Sequence, residues 1–492
     1  MKAATASRFL PVAPKSSLVG PAPGIRAVRI LIWIYLVLLL IEGALRKWFL
    51  PTLSDPLLIV RDPVVLAIYF VAWRANVFPR NAYVVVLAII GGLSLAIGLL
   101  NLYSFNFPIK QALLVTLYGF RSNFLHLPLI FVIANAFDHE DVKKVGWWTL
   151  MLMIPMAFLM VAQFKASPDS FINKTVGIGE AQQLATAGGK IRPPATFSFI
   201  SGPVFYLSAT AAFVIYGALT RTAYKSLLLV SSAVAVLIGV TVSGSRSCVA
   251  AVIVVVLAVV VILVVRPSAV NNFGRILVAI VAVALIASKL PFFKEGVDVL
   301  AERFTTSAEA AETTVVGGMI ERVFQEFTDP FKYIDKVPFW GYALGLGTAG
   351  GARFLVGQGA LLLTENEWMR IIGESGPLLG LAFILWRVVL TAKLFFASLR
   401  SLRGGEVLSI LLFSCAFLGL LNGQLGQPTT LGCTVVLCGL CLAATRQPEL
   451  SAAESEIAEP IAPKRLPRLS PHAERLRAGH SGPDHANGFV DR

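Results

Sequence analysis

The run CVAAVIVVVLAVVVILVV, residues 248–265, decides the class of fold. It carries no charge from end to end, and an α-helix needs about 20 predominantly apolar residues to cross the hydrocarbon core of a bilayer. Similar runs recur along the 492-residue chain, which is 56% hydrophobic and only 14% charged. A soluble core of this size would need more charged cover, and a membrane barrel would show alternating strands of about ten residues. We therefore predict an all-α, polytopic integral membrane protein.

The apolar runs predict about 12 transmembrane helices in a membrane domain of residues 27–445. Residues 1–26 are basic and are not followed by a small-residue cleavage site, so we expect a cytoplasmic tail and a retained first helix. Residues 446–492 are Pro-rich and charged, and we expect a disordered cytoplasmic tail. The predicted spans are 28–45, 62–73, 82–100, 111–137, 145–164, 202–219, 226–242, 247–265, 276–290, 377–397, 407–421 and 429–444.

Lysine and arginine residues set the expected orientation. The net charge of +14 indicates orientation in a membrane rather than nucleic-acid binding, because the basic residues gather in the N-terminal tail and in short loops on the side of the termini. We therefore expect a multi-pass protein of the cytoplasmic (inner) membrane with both termini in the cytoplasm. The loops of about 166–200 and 291–374 are then external, and the larger lies between helices 9 and 10. The basic loop pairs are Arg74/Arg80, Lys143/Lys144, Arg221/Lys225, Arg266/Arg275 and Arg400/Arg403.

The larger loop is where the sequence places chemistry. Residues 291–374 contain twelve acidic and seven basic residues, and an external segment of this size suits a site for a polar substrate. Gly341, Gly345 and Gly347 are too loosely spaced for a nucleotide motif, so we expect them to permit tight turns. The five cysteines fall in or at the ends of apolar runs and three of the five histidines lie in the C-terminal tail, so neither disulfides nor a metal cofactor is expected.

Two arginines occupy unusual positions. Arg121 lies inside the fourth predicted span, where a lone arginine costs about 2.5 to 3.5 kcal/mol and is expected to face a protein interior or a wet cavity. Arg246 lies in Ser243–Ser247, a short turn at the membrane surface whose backbone N–H groups can help hold an anion. Interfacial anchoring, or pairing with a carboxylate, is the alternative for each of them.

Several short motifs together resemble those of bacterial O-antigen ligases and O-antigen polymerases. They are the Gly244–Ser247 run entering an apolar helix, Arg192–Phe197 before a span, Arg303 and Arg322 in a long late loop, and Pro338–Gly347 followed by Asn366, Glu374 and Gly376. The resemblance covers roughly residues 110 to 395. It implies many transmembrane helices, a large external loop, and transfer of glycans from a lipid pyrophosphate carrier without a nucleotide-sugar, a metal or another cofactor.

The resemblance gives the arginines a role. A pyrophosphate requires permanent charge and paired donors, which favours arginine over lysine. Arg121, Arg192 and Arg246 are the candidates to hold it, with interfacial anchoring or pairing with a carboxylate as the alternative for Arg192 too. The resemblance adds Arg303 and Arg322 as substrate-binding residues.

The acceptor hydroxyl needs a base, and carboxylates of the late loop are the candidates. Glu365 is the first choice, followed by Glu367 and Glu374, because a carboxylate in a partly desolvated cavity can titrate nearer neutral pH. Members of the resembled family commonly carry histidine just before the late-loop asparagine, and here that position is Glu365. Asn366 is expected to orient a sugar or to fix the loop. A solvated loop charge is the alternative for each carboxylate, and an interfacial aromatic belt is the alternative to sugar stacking for Trp340, Tyr342 and Trp368.

The resulting expectation is a membrane glycosyltransferase of surface or exopolysaccharide synthesis. Its partners would be a polyprenyl-pyrophosphate-linked glycan donor, a glycan or lipid acceptor, the lipid bilayer and possible envelope polysaccharide assembly proteins, with no nucleic acid. Two alternatives stay open, a transporter or flippase of polysaccharide intermediates and a non-catalytic assembly protein. Transporters usually show two related halves with broken helices in matching positions, and no such repeat is evident here.

Overall fold

A computed structural model of the chain describes residues 23–105, 107–176, 190–220, 223–267, 289, 291–310, 315–356, 363–364 and 366–446. These residues belong to one structural unit that extends to Arg446. Every regular element within the described ranges is a helix, which is the arrangement that satisfies backbone hydrogen bonds inside each segment. The predicted all-α class is confirmed for this part of the chain. The predicted tails fall outside it, apart from residues 23–26 and Arg446.

The α-helices are numbered here in chain order. Two turns are π-helical, Leu45–Phe49 after α1 and Arg121–Leu125 after α5. The α-helices are α1 (Pro23–Ala44), α2 (Ser54–Leu57), α3 (Arg61–Arg74), α4 (Ala82–Ser104), α5 (Ile109–Phe120), α6 (Leu129–Ala136), α7 (His139–Lys165), α8 (Ser201–Thr220), α9 (Ser226–Val242), α10 (Arg246–Val265), α11 (Pro291–Ala310), α12 (Val315–Lys332), α13 (Ala349–Val356), α14 (Glu367–Arg403), α15 (Leu408–Asn422) and α16 (Pro428–Ala444).

Within the described ranges, eight helical segments are long and apolar enough to cross a membrane. They are Gly24–Phe49, Pro51–Arg74, Ala82–Ser104, Ile109–Ala136, His139–Lys165, Ser201–Thr220, Arg246–Val265 and Glu367–Arg403. The shorter apolar helices α9, α15 and α16 coincide with the seventh, eleventh and twelfth predicted spans. The predicted ninth span lies outside the described residues except for Lys289. The chain therefore has the helices of a membrane protein, while the count of twelve crossings and their orientation stay predictions.

Two predicted spans differ in detail from the helices. The fourth predicted span is divided into α5, the Arg121–Leu125 turn and α6, with Pro128 at the start of α6. The tenth was expected to begin at Pro377, but α14 begins ten residues earlier, at Glu367, and continues past one non-helical residue, Gly376. A proline disfavours the helical conformation of the residue before it, and glycine can adopt the positive φ of 75° found there.

The core of the bundle surrounds α8. This helix contacts α7, α9, α10, α15 and α16, and most of its residues are buried. Small residues allow neighbouring helices to approach closely in a membrane protein, and α8 has them at Gly202, Ser208, Ala209, Ala212 and Gly217. Helix α16, which packs on α6 and α15, is also buried along nearly its whole length.

Contacts between helix ends fall into two groups. At one end, Arg46 after α1 donates to Ser198 before α8. At the other end, Arg29 near the start of α1 pairs with Asp141 near the start of α7, and His139 lies 3.5 Å from Glu406 before α15. The end that holds Arg46 and Ser198 is called the loop end here. It also receives the segments that begin and end the predicted large loop.

Much of the described part of the large loop is helical, whereas residues 333–348 form short turns between two of its helices. Helix α11 packs on α9, α12 packs on α14, and α13 packs on α5. The loop is therefore attached to the bundle at three places, which explains how a segment of this length can keep a defined position.

Candidate functional site

The Arg192–Phe197 segment is fastened to the end of α1. The Lys47 ammonium donates to the carbonyl oxygens of Ala195, at 2.6 Å, and Phe197, at 2.7 Å. Gly43 lies so close to the same segment that a Cβ atom there would be within 2.5 Å of its backbone. A backbone approach of this kind requires glycine. The segment therefore has a fixed place at the loop end.

Arg192 and Arg246 are brought into the same region. The turn Ser243–Ser245 joins α9 to α10, and its Gly244 has a φ of 55°, which favours glycine. Arg246 is the first residue of α10 and is half-buried. Helix α11 forms an ion pair with Lys190, two residues before Arg192, and also contacts α9 and α10. The segments that carry Arg192 and Arg246 are therefore both contacted by α11.

The first helix of the large loop lies over this region. Glu295 of α11 forms an ion pair with Lys190 at 2.8 Å, and Gly296 lies against the backbone of Thr241 at the end of α9. The two predicted external loops therefore meet here. Arg303 lies on the same helix, but its side chain lies outside what the structure describes.

A small apolar cleft of about 90 Å³ lies beside the Arg192–Phe197 segment. The lining residues from α8 and α16 are buried, whereas Trp148 of α7 is 47% exposed, so the cleft is open along α7. Phe197 forms part of its wall. The lining residues are Trp33, Leu36, Leu39 and Leu40 of α1; Val145, Trp148, Thr149 and Leu152 of α7; Phe197; Phe205, Tyr206, Ala209 and Phe213 of α8; and Cys433, Val436, Leu437 and Leu440 of α16.

Glu367, a predicted base, is enclosed by arginines. Arg370 donates to its two oxygens at 2.9 and 3.0 Å, and Arg387 donates at 2.9 Å. The backbone N–H of Leu425 donates at 3.2 Å, and Glu367 is only 1% exposed. Its carboxylate is therefore engaged with protein donors and has no open side toward an incoming hydroxyl.

Glu374, about two turns further along α14, is also fully engaged by protein donors. It pairs with Arg370 at 2.8 Å and accepts from the backbone N–H of Gly347 at 3.0 Å. Asn123 donates to Glu374 at 3.2 Å and accepts from Arg370 at 2.8 Å. The two glutamates, their arginines and Asn123 form one buried network. It ties the start of α14 to the Arg121–Leu125 turn and to the glycine run of the large loop.

Arg121 is paired with a carboxylate, which is one of the alternatives that its sequence position left open. Its Nε donates to Asp62 at 2.7 Å, and Nη2 donates to the carbonyl oxygen of Leu58 at 2.7 Å. The remaining Nη1 is buried without a hydrogen-bond partner. The π-helical turn explains the position of this side chain, because such turns interrupt regular helices and often occur at functional sites.

A chain of polar side chains inside the bundle was not predicted from the sequence. Arg61 donates to Glu42 at 2.9 Å and to the Tyr35 hydroxyl at 3.3 Å. His126 lies 3.0 Å from that hydroxyl and 2.9 Å from Asp62. The sequence did contain a signal for this chain of side chains, because ionisable residues occur in or beside the first, second and fourth apolar runs. Such residues in a membrane are functional candidates by default.

Asn366 has a structural position. Its side-chain oxygen accepts from the backbone N–H of Met369 and so caps the start of α14, while its amide donates to the carbonyl oxygen of Glu326 at 2.8 Å. This agrees with a role in fixing the loop. Glu365, the preceding residue, lies outside the described residues, as does the side chain of Arg322 on α12.

The glycine run of the large loop lies directly against helix backbones. Gly341 and Gly345 have φ values of 71° and 91°. A Cβ atom on Gly341 would be 2.4 Å from the backbone nitrogen of Gly376, and one on Gly345 would be 2.2 Å from the carbonyl oxygen of Val115. Both the positive φ and the close approach require glycine. The run therefore makes the tight turns expected from the sequence.

The aromatic residues of the late loop divide into two kinds. Trp368 is only 8% exposed, and its indole donates to the carbonyl oxygen of Leu421 at 2.9 Å, so it serves packing rather than sugar stacking. Trp340 is half exposed and Tyr342 is partly buried. Of the three aromatic residues considered for sugar stacking, Trp340 and Tyr342 therefore keep a surface that a ligand or lipid can reach.

Within the described ranges, no group of three His, Cys, Asp or Glu side chains is arranged to hold a metal ion, so metal-independent chemistry stays a prediction. No family model matches the sequence, and no curated protein matches it either.

Proposed function

We propose that this chain is a membrane glycan transferase. It would take a saccharide from a polyprenyl pyrophosphate at the external face of the cytoplasmic membrane and attach it to a glycan or lipid acceptor. The acceptor oxygen forms a bond with the anomeric carbon, the bond from that carbon to the pyrophosphate breaks, and a protein base takes the hydroxyl proton. The proposal combines the sequence resemblance with the geometry of the loop end.

One observation carries the proposal, namely that the segment that forms part of the cleft wall also carries one of the arginines. Phe197 is part of the cleft wall, and Arg192 lies five residues before it, next to Lys190, whose partner helix α11 also contacts α10, the helix that begins with Arg246. A donor with a long apolar chain and a pyrophosphate needs this combination, because the chain requires an apolar groove and the pyrophosphate requires arginine donors.

The other residues follow from this placement. Arg192 and Arg246 would hold the pyrophosphate, and α11 with the rest of the large loop would enclose the sugars. Because Glu367 and Glu374 are engaged by arginines, Glu365 is the preferred base among the three predicted carboxylates. Arg121 would act indirectly, through its ion pair with Asp62.

Reconstitution tests the proposal. The purified protein in liposomes is given a polyprenyl-pyrophosphate-linked saccharide and an acceptor, and free polyprenyl pyrophosphate and extended acceptor are measured. Equal amounts of both products are expected, without added metal. Absence of both products over a panel of donors and acceptors, from a correctly folded protein, contradicts the proposal.

The cleft can be tested separately. Leu36→Trp narrows the cleft, because Leu36 lines it, whereas Val37→Trp places the same side chain on the exposed side of α1, where Val37 is 50% exposed. Transfer from the long-chain donor is expected to fall in the first variant and to be unchanged in the second. Equal transfer activity in both variants would show that the cleft does not bind the apolar chain of the donor.

A transporter or flippase is the second candidate, and the buried Tyr35, His126 and Asp62 chain favours it, because such chains serve as proton relays in pumps and transporters. The two functions differ in their products. A flippase moves the intact lipid-linked saccharide between leaflets, whereas a transferase separates the saccharide from the lipid. Lectin accessibility and product release, measured in the same liposomes, distinguish them.

A further inference from the structure

The described part of the large loop exposes several large apolar side chains outside the candidate spans. Phe324 is 65% exposed, Phe331 50%, Phe339 58% and Trp340 50%. Contiguous exposed apolar surface on a folded protein indicates an interaction site. These four residues lie on α12 and just beyond it.

Helix α12 is amphipathic. Phe324, Phe327 and Phe331 are spaced by three and four residues and therefore share one face, while Gln325 and Lys332 lie about a quarter turn or more away from that face. A helix with one aromatic face and one polar face is suited to lie in the plane of a membrane interface.

The contacts of α12 place it at the level where apolar helices end. The Phe327 ring packs edge-on against Trp368, with 5.0 Å between ring centroids. Trp368 is in the first turn of α14, and its indole donates to the carbonyl oxygen of Leu421 in the last turn of α15. The candidate span α14 and the short apolar helix α15 thus each have one end at α12. In a bilayer such ends lie at the boundary between hydrocarbon and headgroups.

Trp340 extends the apolar surface of another span. Its carbonyl oxygen accepts from Asn101, in the last turn of α4. The same end of α4 exposes Leu100 and Tyr103. Because α4 is a candidate span whose exposed side faces lipid in a membrane, the Trp340 surface is continuous with a lipid-facing surface.

We infer that the aromatic face of α12, together with Phe339 and Trp340, binds the headgroup region of the bilayer itself. This surface is called the aromatic face here. At that depth Trp340 keeps its apolar ring among acyl chains and its indole N–H near water, while the phenylalanine rings lie among the acyl chains. The large loop is thereby held flat against the leaflet. The inference does not depend on glycan transfer and applies equally to a transporter.

Site-directed spin labelling tests the aromatic face. All five native cysteines are buried, so a water-soluble nitroxide reagent reacts at an introduced exposed cysteine. Phe324→Cys and Phe331→Cys report on the face, and Gln325→Cys and Lys332→Cys are the matched controls on the polar side of the same helix. The full-length protein is reconstituted in vesicles of phosphatidylethanolamine and phosphatidylglycerol, with size-exclusion profiles as the check on folding.

Collision with molecular oxygen, which concentrates in the bilayer, is compared with collision with a water-soluble nickel chelate. Labels at 324 and 331 are expected to collide more with oxygen, and labels at 325 and 332 more with the chelate. The ring centroid of Phe331 lies 6.3 Å from that of Trp368, so protein as well as lipid surrounds a label at position 331. The result at position 324 therefore decides the test. Chelate access at 324 equal to that at 325 overturns the inference, because the face is then in water. Exclusion of both reagents from 324 also overturns it, because a protein partner or a second copy then covers the face.

Discussion

The start of α14 and the Arg192–Arg246 region both lie at the loop end, and both carry residues that the sequence assigns to chemistry. In the first, Glu367 and Glu374 are each 1% exposed and engaged by arginines of the same helix. In the second, Arg192 and Arg246 are half-buried, and Phe197, five residues after Arg192, lines the apolar cleft. The side chains of the first region are enclosed by protein, whereas those of the second are partly accessible.

This difference indicates how the role of a charged residue near a membrane can be inferred from its surroundings. A buried charge that is saturated by a partner has a structural reason to exist, since leaving it alone in a low-dielectric interior is unfavourable by several kcal/mol. Arg192 and Arg246 are only half-buried, so a ligand can reach part of each side chain, whereas Glu367 and Glu374 are almost fully enclosed. The ligand-binding function is therefore better supported for these two arginines than for the carboxylates of α14. Four measurements test this difference.

The largest effect is expected at Glu365. If it is the base, Glu365→Gln keeps shape and hydrogen bonding but removes proton acceptance, and transfer should slow by on the order of 10² to 10⁴. Glu365→His should recover part of the rate, because imidazole titrates near neutral pH. Wild-type turnover in the Gln variant would show that Glu365 is a loop charge.

A comparable effect, on stability rather than rate, is expected at Glu367. Glu367→Ala leaves Arg370 and Arg387 buried without their carboxylate and should lower the free energy of unfolding by about 3 to 5 kcal/mol. Denaturation in detergent measures it, and the exposed Glu302 gives a control, Glu302→Gln, within about 0.5 kcal/mol of wild type. A Glu367→Ala protein that is stable but inactive in glycan transfer would instead make Glu367 a candidate base again.

The next effect concerns the geometry of donors at Arg246. Arg246→Lys keeps the charge and loses the paired N–H donors, so transfer should fall by about 10² to 10³, nearly as far as in Arg246→Ala. The amount of protein in the membrane should not change. Full activity of the lysine variant would reduce Arg246 to an anchor or a point charge.

The smallest effect is expected at Asn366. Asn366→Ala removes the cap of α14 and should destabilise the protein by about 0.5 to 2 kcal/mol, whereas Asn366→Asp keeps the capping oxygen and should stay near wild type. If transfer falls in the Asp variant while its stability is retained, Asn366 contacts substrate as well as capping the helix.

The positions of the helices could be predicted from the sequence because long apolar runs are typical of helices buried in lipid. The predicted span 226–242 and α9 have the same bounds. Gly341 and Gly345 were correctly predicted to lie in turns, because the preference of glycine for turns is local and does not depend on tertiary contacts. The boundary of α14 was not predicted, because Gly376 and Pro377 normally mark a helix end and here mark a kink within one helix.

Arg370 lies three and four residues from Glu367 and Glu374 on one helix, but other charged residues found partners far along the chain, which helix packing sets. Asp62 and Arg121 are 59 residues apart and Asn123 and Glu374 are 251 apart, so nothing local couples them. The sequence determined that this chain is an apolar helical protein with unusual arginines and carboxylates. Which of these charges form long-range ion pairs depends on which helices pack together, because an ion pair forms only where packing brings two side chains within about 4 Å.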